Sequence, residues 1–121
     1  MEKRFTREEI KQRFQTSIDA GHPIIVASAG IGIAAKFAER GGADMIGLFN
    51  SSYLGLGRVE ATSLMPYGNA NDIVMSLGDR IFPVVQDTPI LGGIIGSDPT
   101  REMTPFLKIM QFKGFPAVIN F

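Results

Sequence analysis

Pro23-Ile24-Ile25-Val26-Ala27-Ser28-Ala29-Gly30-Ile31-Gly32-Ile33-Ala34-Ala35 is the stretch on which the reading of the whole chain turns. Ile24 to Ala27 is a short, unbroken apolar run, the pattern of a buried parallel strand covered on both faces. Ser28 to Gly32 is a turn of small residues. Residues 32–40 then place Ile33, Ala34, Phe37 and Ala38 at helical spacing. A strand, a tight turn and a helix make the opening of a βα unit. Gly41-Gly42 supplies a left-handed cap at the helix end.

The same alternation continues outward. Met45 to Phe49 reads as a second strand, and Asn50 to about Gly68 as mostly loop, with Ser51, Ser52, Gly55, Gly57 and Pro66. A loop of that length is usually functional or disordered. Asn69 or Asn71 caps a third helix reaching about Ile81, with Ile73, Val74 and Leu77 inward. Pro83-Val84-Val85 reads as a short extended piece, and Ile90 to Ile95 as the third main strand. Asp98-Pro99 is expected to start a helix, with Asp as N-cap and Pro in the first turn. Met103, Phe106, Leu107 and Met110 line its core face, Gly114 ends it, and Ala117 to Phe121 is a fourth strand. Upstream, residues 6–20 read as a helix with a Thr6/Glu9 capping box and an Ile10, Phe14, Ile18 stripe.

The fold class is therefore α/β: parallel strands joined by right-handed crossovers, preceded by an N-terminal helix. Residues 1–121 read as one domain or fragment. The last strand has no helix after it, and a bare parallel edge is a liability. The expectation is a homo-oligomer or a missing second half that covers the edge.

Composition narrows the function classes. Lys plus Arg and Asp plus Glu both number 12, so no basic excess exists to neutralise phosphates and no nucleic-acid partner is expected. No apolar run reaches the roughly 18 residues of a membrane span. The charged start, Met1-Glu2-Lys3-Arg4, is unlike a signal peptide. The chain has no cysteine, which excludes thiolate metal sites and agrees with a cytoplasmic location.

Two architectures fit a βα repeat. Gly30-Ile31-Gly32-Ile33-Ala34-Ala35 has the spacing of a dinucleotide fingerprint. The acid expected about 20 positions on is replaced by Asn50, Ser51 and Ser52, so no NAD is expected. A (βα)8 barrel accounts for more. Polar residues follow each strand in turn: Ser28, then Asn50-Ser51-Ser52, then Ser97-Asp98, then Asn120. Barrel active sites are built at that end of the strands.

The chain also resembles the phosphoenolpyruvate hydrolase-like family of TIM-barrel proteins, some labelled phosphonopyruvate hydrolases. The resembling stretches run in order over about residues 20–121. They are His22-Pro23-Ile24-Ile25 through Gly32, Ala35-Lys36-Phe37-Ala38-Glu39, Gly41-Gly42-Ala43-Asp44, Phe49-Asn50-Ser51 and Leu64-Met65-Pro66-Tyr67-Gly68-Asn69-Ala70-Asn71. Pro83-Val84-Val85, Thr88-Pro89, Gly96-Ser97-Asp98-Pro99 and Asn120-Phe121 complete the set. Ile31 stands where the family has Thr, and Tyr53 to Ser63 departs from the pattern. The resemblance implies the first half of a TIM barrel acting on a small phosphorylated or phosphono keto-acid, a hydrolase with Mg²⁺ as a possible cofactor.

Three residues are the expected catalytic groups. Asn50 would point into the barrel mouth, Arg58 would clamp phosphate or carboxylate from a lid loop, and Asp98 would act directly or on a metal. Ser28, Gly30, Gly32, Ser51, Ser97 and Asn120 are expected to bind the small anionic substrate. Asp87 or Asp98 are the carboxylates open to Mg²⁺. Each has a plainer alternative: turn chemistry for Asn50 and the serines, a solvated surface for Arg58, and a helix cap for Asp98. His22, the one histidine, precedes the first strand and reads as structural, which excludes a His-based triad. A non-catalytic ligand-binding or signalling barrel and a dinucleotide-binding Rossmann-like domain are the competing readings.

Overall fold

A computed structural model describes residues 5–54 and 69–120. Helix α1 (Arg7–Asp19) leads into β1 (Val26–Ser28), α2 (Gly32–Arg40), β2 (Met45–Leu48) and a 3-10 turn (Asn50–Leu54). Then follow α3 (Ala70–Ile81), β3 (Ile90–Ile94), α4 (Met103–Lys113) and β4 (Ala117–Asn120). The four strands form one sheet in the order β1-β2-β3-β4, and every neighbouring pair is parallel. This is the α/β half-barrel that the alternating pattern implies.

Register assigns the two faces. Val26 pairs with Met45, Gly47 with Leu91, and Leu91 with Ala117, so these residues share one face with Ser28, Gly93 and Ile119. Ile46, Leu48, Ile90 and Ile94 share the other. That second face packs on the helices through Ala35, Val74, Leu77, Ile81, Phe106 and Met110. Leu77 and Ile81 are fully buried, and truncating either to Ala would cost about 2–5 kcal/mol. Helix α4 lies tight on β3: a Cβ at Gly92 would come within 2.6 Å of the Met110 methyl.

Local chemistry explains most element ends. Thr6 accepts from the Glu9 N–H, and the Glu9 side chain returns to the Thr6 N–H, which completes the capping box. Gly42 adopts φ +90° just after α2, the left-handed conformation glycine tolerates best. Asn69, rather than Asn71, caps α3 by accepting from the N–H groups of Asn71 and Asp72.

Four expectations are corrected. Helix α4 begins at Met103, not at Asp98-Pro99, because the Asp98 side chain serves a tight turn instead. Pro83-Val84-Val85 is a turn, held by the Val84 and Val85 N–H groups on the Ile81 carbonyl. Strand β1 starts at Val26 and lies at an edge, with Ile25 and Val26 exposed rather than covered on both faces. Ile18, Ile33, Phe37 and Leu107 are exposed, so the apolar stripes are narrower than the spacing suggests.

Helix α1 packs against the first face of the sheet. Phe5, Ile10 and Phe14 cluster on Met45, Leu91 and Ala117 near the start of the strands. The opposite, carboxyl-terminal ends of the strands carry the polar residues.

Candidate functional site: the carboxyl-terminal rim

Parallel strands deliver their downstream ends to one side of the sheet. Ser28 ends β1, Asn50 and Ser52 follow β2, Ser97 and Asp98 follow β3, and Asn120 ends β4. The structure joins some of these directly. The Ser28 and Ser52 hydroxyls lie 2.8 Å apart and share a hydrogen bond. Gly30 is buried against the Ser52 carbonyl, where a methyl group would collide with that oxygen. The turn after β1 is thus fitted to the turn after β2. Gly47 leaves room for the Phe49 ring, whose nearest atom would sit 2.6 Å from a Cβ there.

The remaining positions are less convergent. Asn50 and Ser51 are half-buried in the 3-10 turn, and Ser97 is exposed. Asn120 belongs to the face that meets the helices, and its Oδ1 accepts the Gly96 N–H at 2.8 Å. Gly32 opens α2, and its N-cap, Ile31, offers no side-chain acceptor to the first-turn N–H groups. Arg58 lies outside the described residues. Asp87 precedes β3 and so lies at the opposite end of a five-residue strand, about 16 Å from the rim. Its backbone N–H donates to Glu39, and its carbonyl accepts from Arg13.

Asp98 stands at the centre of a polar cluster that the sequence reading missed. Its side chain is fully buried. Oδ1 accepts the Thr100 N–H at 2.9 Å and the Thr100 hydroxyl at 2.6 Å. Oδ2 accepts Asn69 Nδ2 at 3.0 Å, Asn71 Nδ2 at 2.9 Å and Arg101 Nε at 2.8 Å. The Thr100 hydroxyl is the largest cause holding the carboxyl far below the ordinary range. Burial opposes it, and the Thr100 N–H and both asparagines add to it. Arg101 extends the cluster to Asn69 Oδ1 and to Asp72, and its guanidinium stacks 4.6 Å from the Phe106 ring centre. The local signal was Asp98-Pro99-Thr100, a turn in which Asp bonds the backbone two residues on. Asn69 and Asn71 lie too far away in sequence to be linked to it by spacing.

Chemically, the rim presents hydroxyls and backbone N–H groups, the equipment of an anion cradle. His22 lies before β1, at the other end of the sheet. Among the described residues no three His, Asp or Glu side chains gather as a metal set. Asp98 accepts five hydrogen bonds and Asp87 is at the far end of its strand, so neither offers the rim an open carboxylate for Mg²⁺.

A family model described as phosphoenolpyruvate hydrolase-like matches residues 9–121. The ToMV resistance protein Tm-1(GCR237) of Solanum lycopersicum is 42% identical over 116 residues, covering 95% of this chain and 15% of that protein. The ToMV susceptible protein tm-1(GCR26) of the same plant is 42% identical over 113 residues, covering 93% and 15%. The chain thus spans about a seventh of the length of these curated relatives. Among solved structures, 2,3-dimethylmalate lyase, a PEP mutase/isocitrate lyase superfamily member, aligns with a TM-score of 0.54 at 14% identity. That match covers 90% of this chain and 37% of the lyase, and it shows a shared fold.

Proposed function

The chain belongs to the phosphoenolpyruvate hydrolase-like family, and on that premise we propose that its rim takes part in binding and turning over a small phosphorylated or phosphono keto-acid. The observation that carries this reading is the rim itself. Four parallel strands end on one side, and the turns after β1 and β2 are joined there by the Ser28–Ser52 hydrogen bond.

Ser28 shares the sheet face that a closed barrel would enclose. Its hydroxyl and the N–H groups of residues 30–32 would donate to a phosphoryl or carboxylate oxygen, with the positive end of α2 behind them. Asn50 would orient the carbonyl of the keto-acid, and Arg58 would neutralise its charge. Ser51, Ser97 and Asn120 would shape the rim around the ligand. The family resemblance implies Mg²⁺, but with the Asp98 carboxylate engaged and Asp87 at the far end of its strand, no step is assigned to it.

A second reading is a ligand-binding barrel without turnover. It is favoured by the Ser28–Ser52 pair, which bonds to itself with His22 at the other end of the sheet. One experiment separates the two. The protein is mixed with phosphonopyruvate, or with phosphoenolpyruvate, with and without Mg²⁺, and both thermal shift and phosphate release are followed. Turnover supports the enzyme, and a shift without release supports the binding module. Neither signal would dismiss the keto-acid reading. If it holds, Ser28→Ala should weaken binding about tenfold, the worth of one hydrogen bond of ~1.4 kcal/mol.

A further inference from the structure

We infer that Asp98 serves as a buried structural anion that ties the loop after β3 to the first turn of α3, and that its carboxylate is closed to a divalent cation. This goes beyond the keto-acid reading and holds whichever ligand the rim takes.

The argument begins with two amides. Asn69 Oδ1 caps α3, accepting from the Asn71 and Asp72 N–H groups at 3.0 and 3.1 Å. Its Nδ2 must therefore face acceptors, and those are Asp98 and the Thr100 hydroxyl oxygen, at 3.0 and 3.3 Å. Asn71 is wholly buried, and its Oδ1 accepts the Ile95 N–H at 2.8 Å. Its Nδ2 donates to the Ile95 carbonyl at 3.1 Å and to Asp98 at 2.9 Å. One carboxylate thus accepts from both amides, whose other ends are held by the backbone. One amide caps the helix, and the other pins the residue that follows β3.

A carboxylate offers about four lone-pair sites, and five donors already converge on this one. Mg²⁺ demands near-octahedral oxygen ligands at about 2.1 Å and gives up its water reluctantly. To bind here it would have to displace Arg101 Nε or both asparagine amides, leaving buried donors unpaired. The Arg101 charge, 2.8 Å away, already balances the carboxylate. Among the described residues, no further acid joins Asp98 to make a metal set.

Thermal melts of wild type, Asp98→Asn and Thr100→Val, each in Mg²⁺ and in EDTA, test the inference. Asp98→Asn replaces an acceptor oxygen with a donor facing donors, and its melting temperature should fall by about 10 °C. Thr100→Val keeps the carboxylate and removes one donor, so a smaller fall of about 4 °C is expected, equal in Mg²⁺ and EDTA. The Arg101 Nε–H and Asn71 side-chain amide signals in NMR spectra should exchange slowly and stay in place as Mg²⁺ is added. Three results would each overturn the inference. One is a Mg²⁺ stabilisation of wild type that Asp98→Asn removes. Another is movement of the Arg101 signal on adding Mg²⁺, and the third is an unchanged melt for Thr100→Val. If Asp98→Asn does not fold, Thr100→Val and the NMR titration still decide.

Discussion

At the scale of single residues, the rim depends on close fits that tolerate little change. Gly30 is buried against the Ser52 carbonyl. Gly30→Ala should push the two turns apart and destabilise the protein by about 1–3 kcal/mol, read in a denaturant melt. The sequence marked Gly30 correctly as a turn residue, but spacing alone could not reveal that Ser52 was its neighbour. Asp98 was likewise legible as a residue with chemistry to do. Its role was not, because Asn71 stands 27 positions earlier and meets it only once α3 is packed on the sheet.

At the scale of elements, what was written locally was read well. Thr6 and Glu9 are three residues apart, and their capping box is present in full. Thr6→Ala should cost about 1 kcal/mol of stability, visible as a lowered melting midpoint. Strands β2, β3 and β4 begin at the residues their apolar runs suggest. The misreadings occur where other partners, some close in sequence and some far, outbid a local preference. Asp98 would make a good N-cap, yet the nearby Thr100, Asn69 and Arg101 claim it, and α4 starts at Met103 without a side-chain cap. The turn after α3 has a similar hidden partner. Glu39 of α2 accepts the Gln86 and Asp87 N–H groups at 3.1 and 2.8 Å, bracing that turn from 47 and 48 residues away.

At the scale of the whole molecule, the sheet has two uncovered flanks. Val26 on β1 and Ile119 on β4 are 44% and 43% exposed, and Ile33, Phe37, Ile109 and Phe112 on the helices are exposed as well. Parallel strands are ordinarily buried on both faces, so the chain on its own should associate. Light scattering is expected to give a mass above 13.1 kDa, and a monomer at all concentrations would contradict the barrel geometry. Acid should also loosen the molecule. Burial pushes the Glu39 carboxyl up, but the Gln86 and Asp87 N–H groups outweigh it and hold it low. The Asp98 carboxyl is held low as well, first by the Thr100 hydroxyl. In the unfolded chain these groups take up protons at higher pH than in the folded one. Their contribution is therefore complete above about pH 5 and is lost progressively as the pH falls further. Melts between neutral pH and pH 2 should show stability declining only at the acid end.

The spatial order of the strands repeats their order along the chain. Each strand emerging during synthesis meets a neighbour that has already been made, and no gap is left for a later segment to thread. Assembly can therefore proceed from the amino terminus, one βα unit at a time, while translation continues. At every stage the newest strand forms one open edge and β1 the other, so the growing sheet is open to misassociation at both.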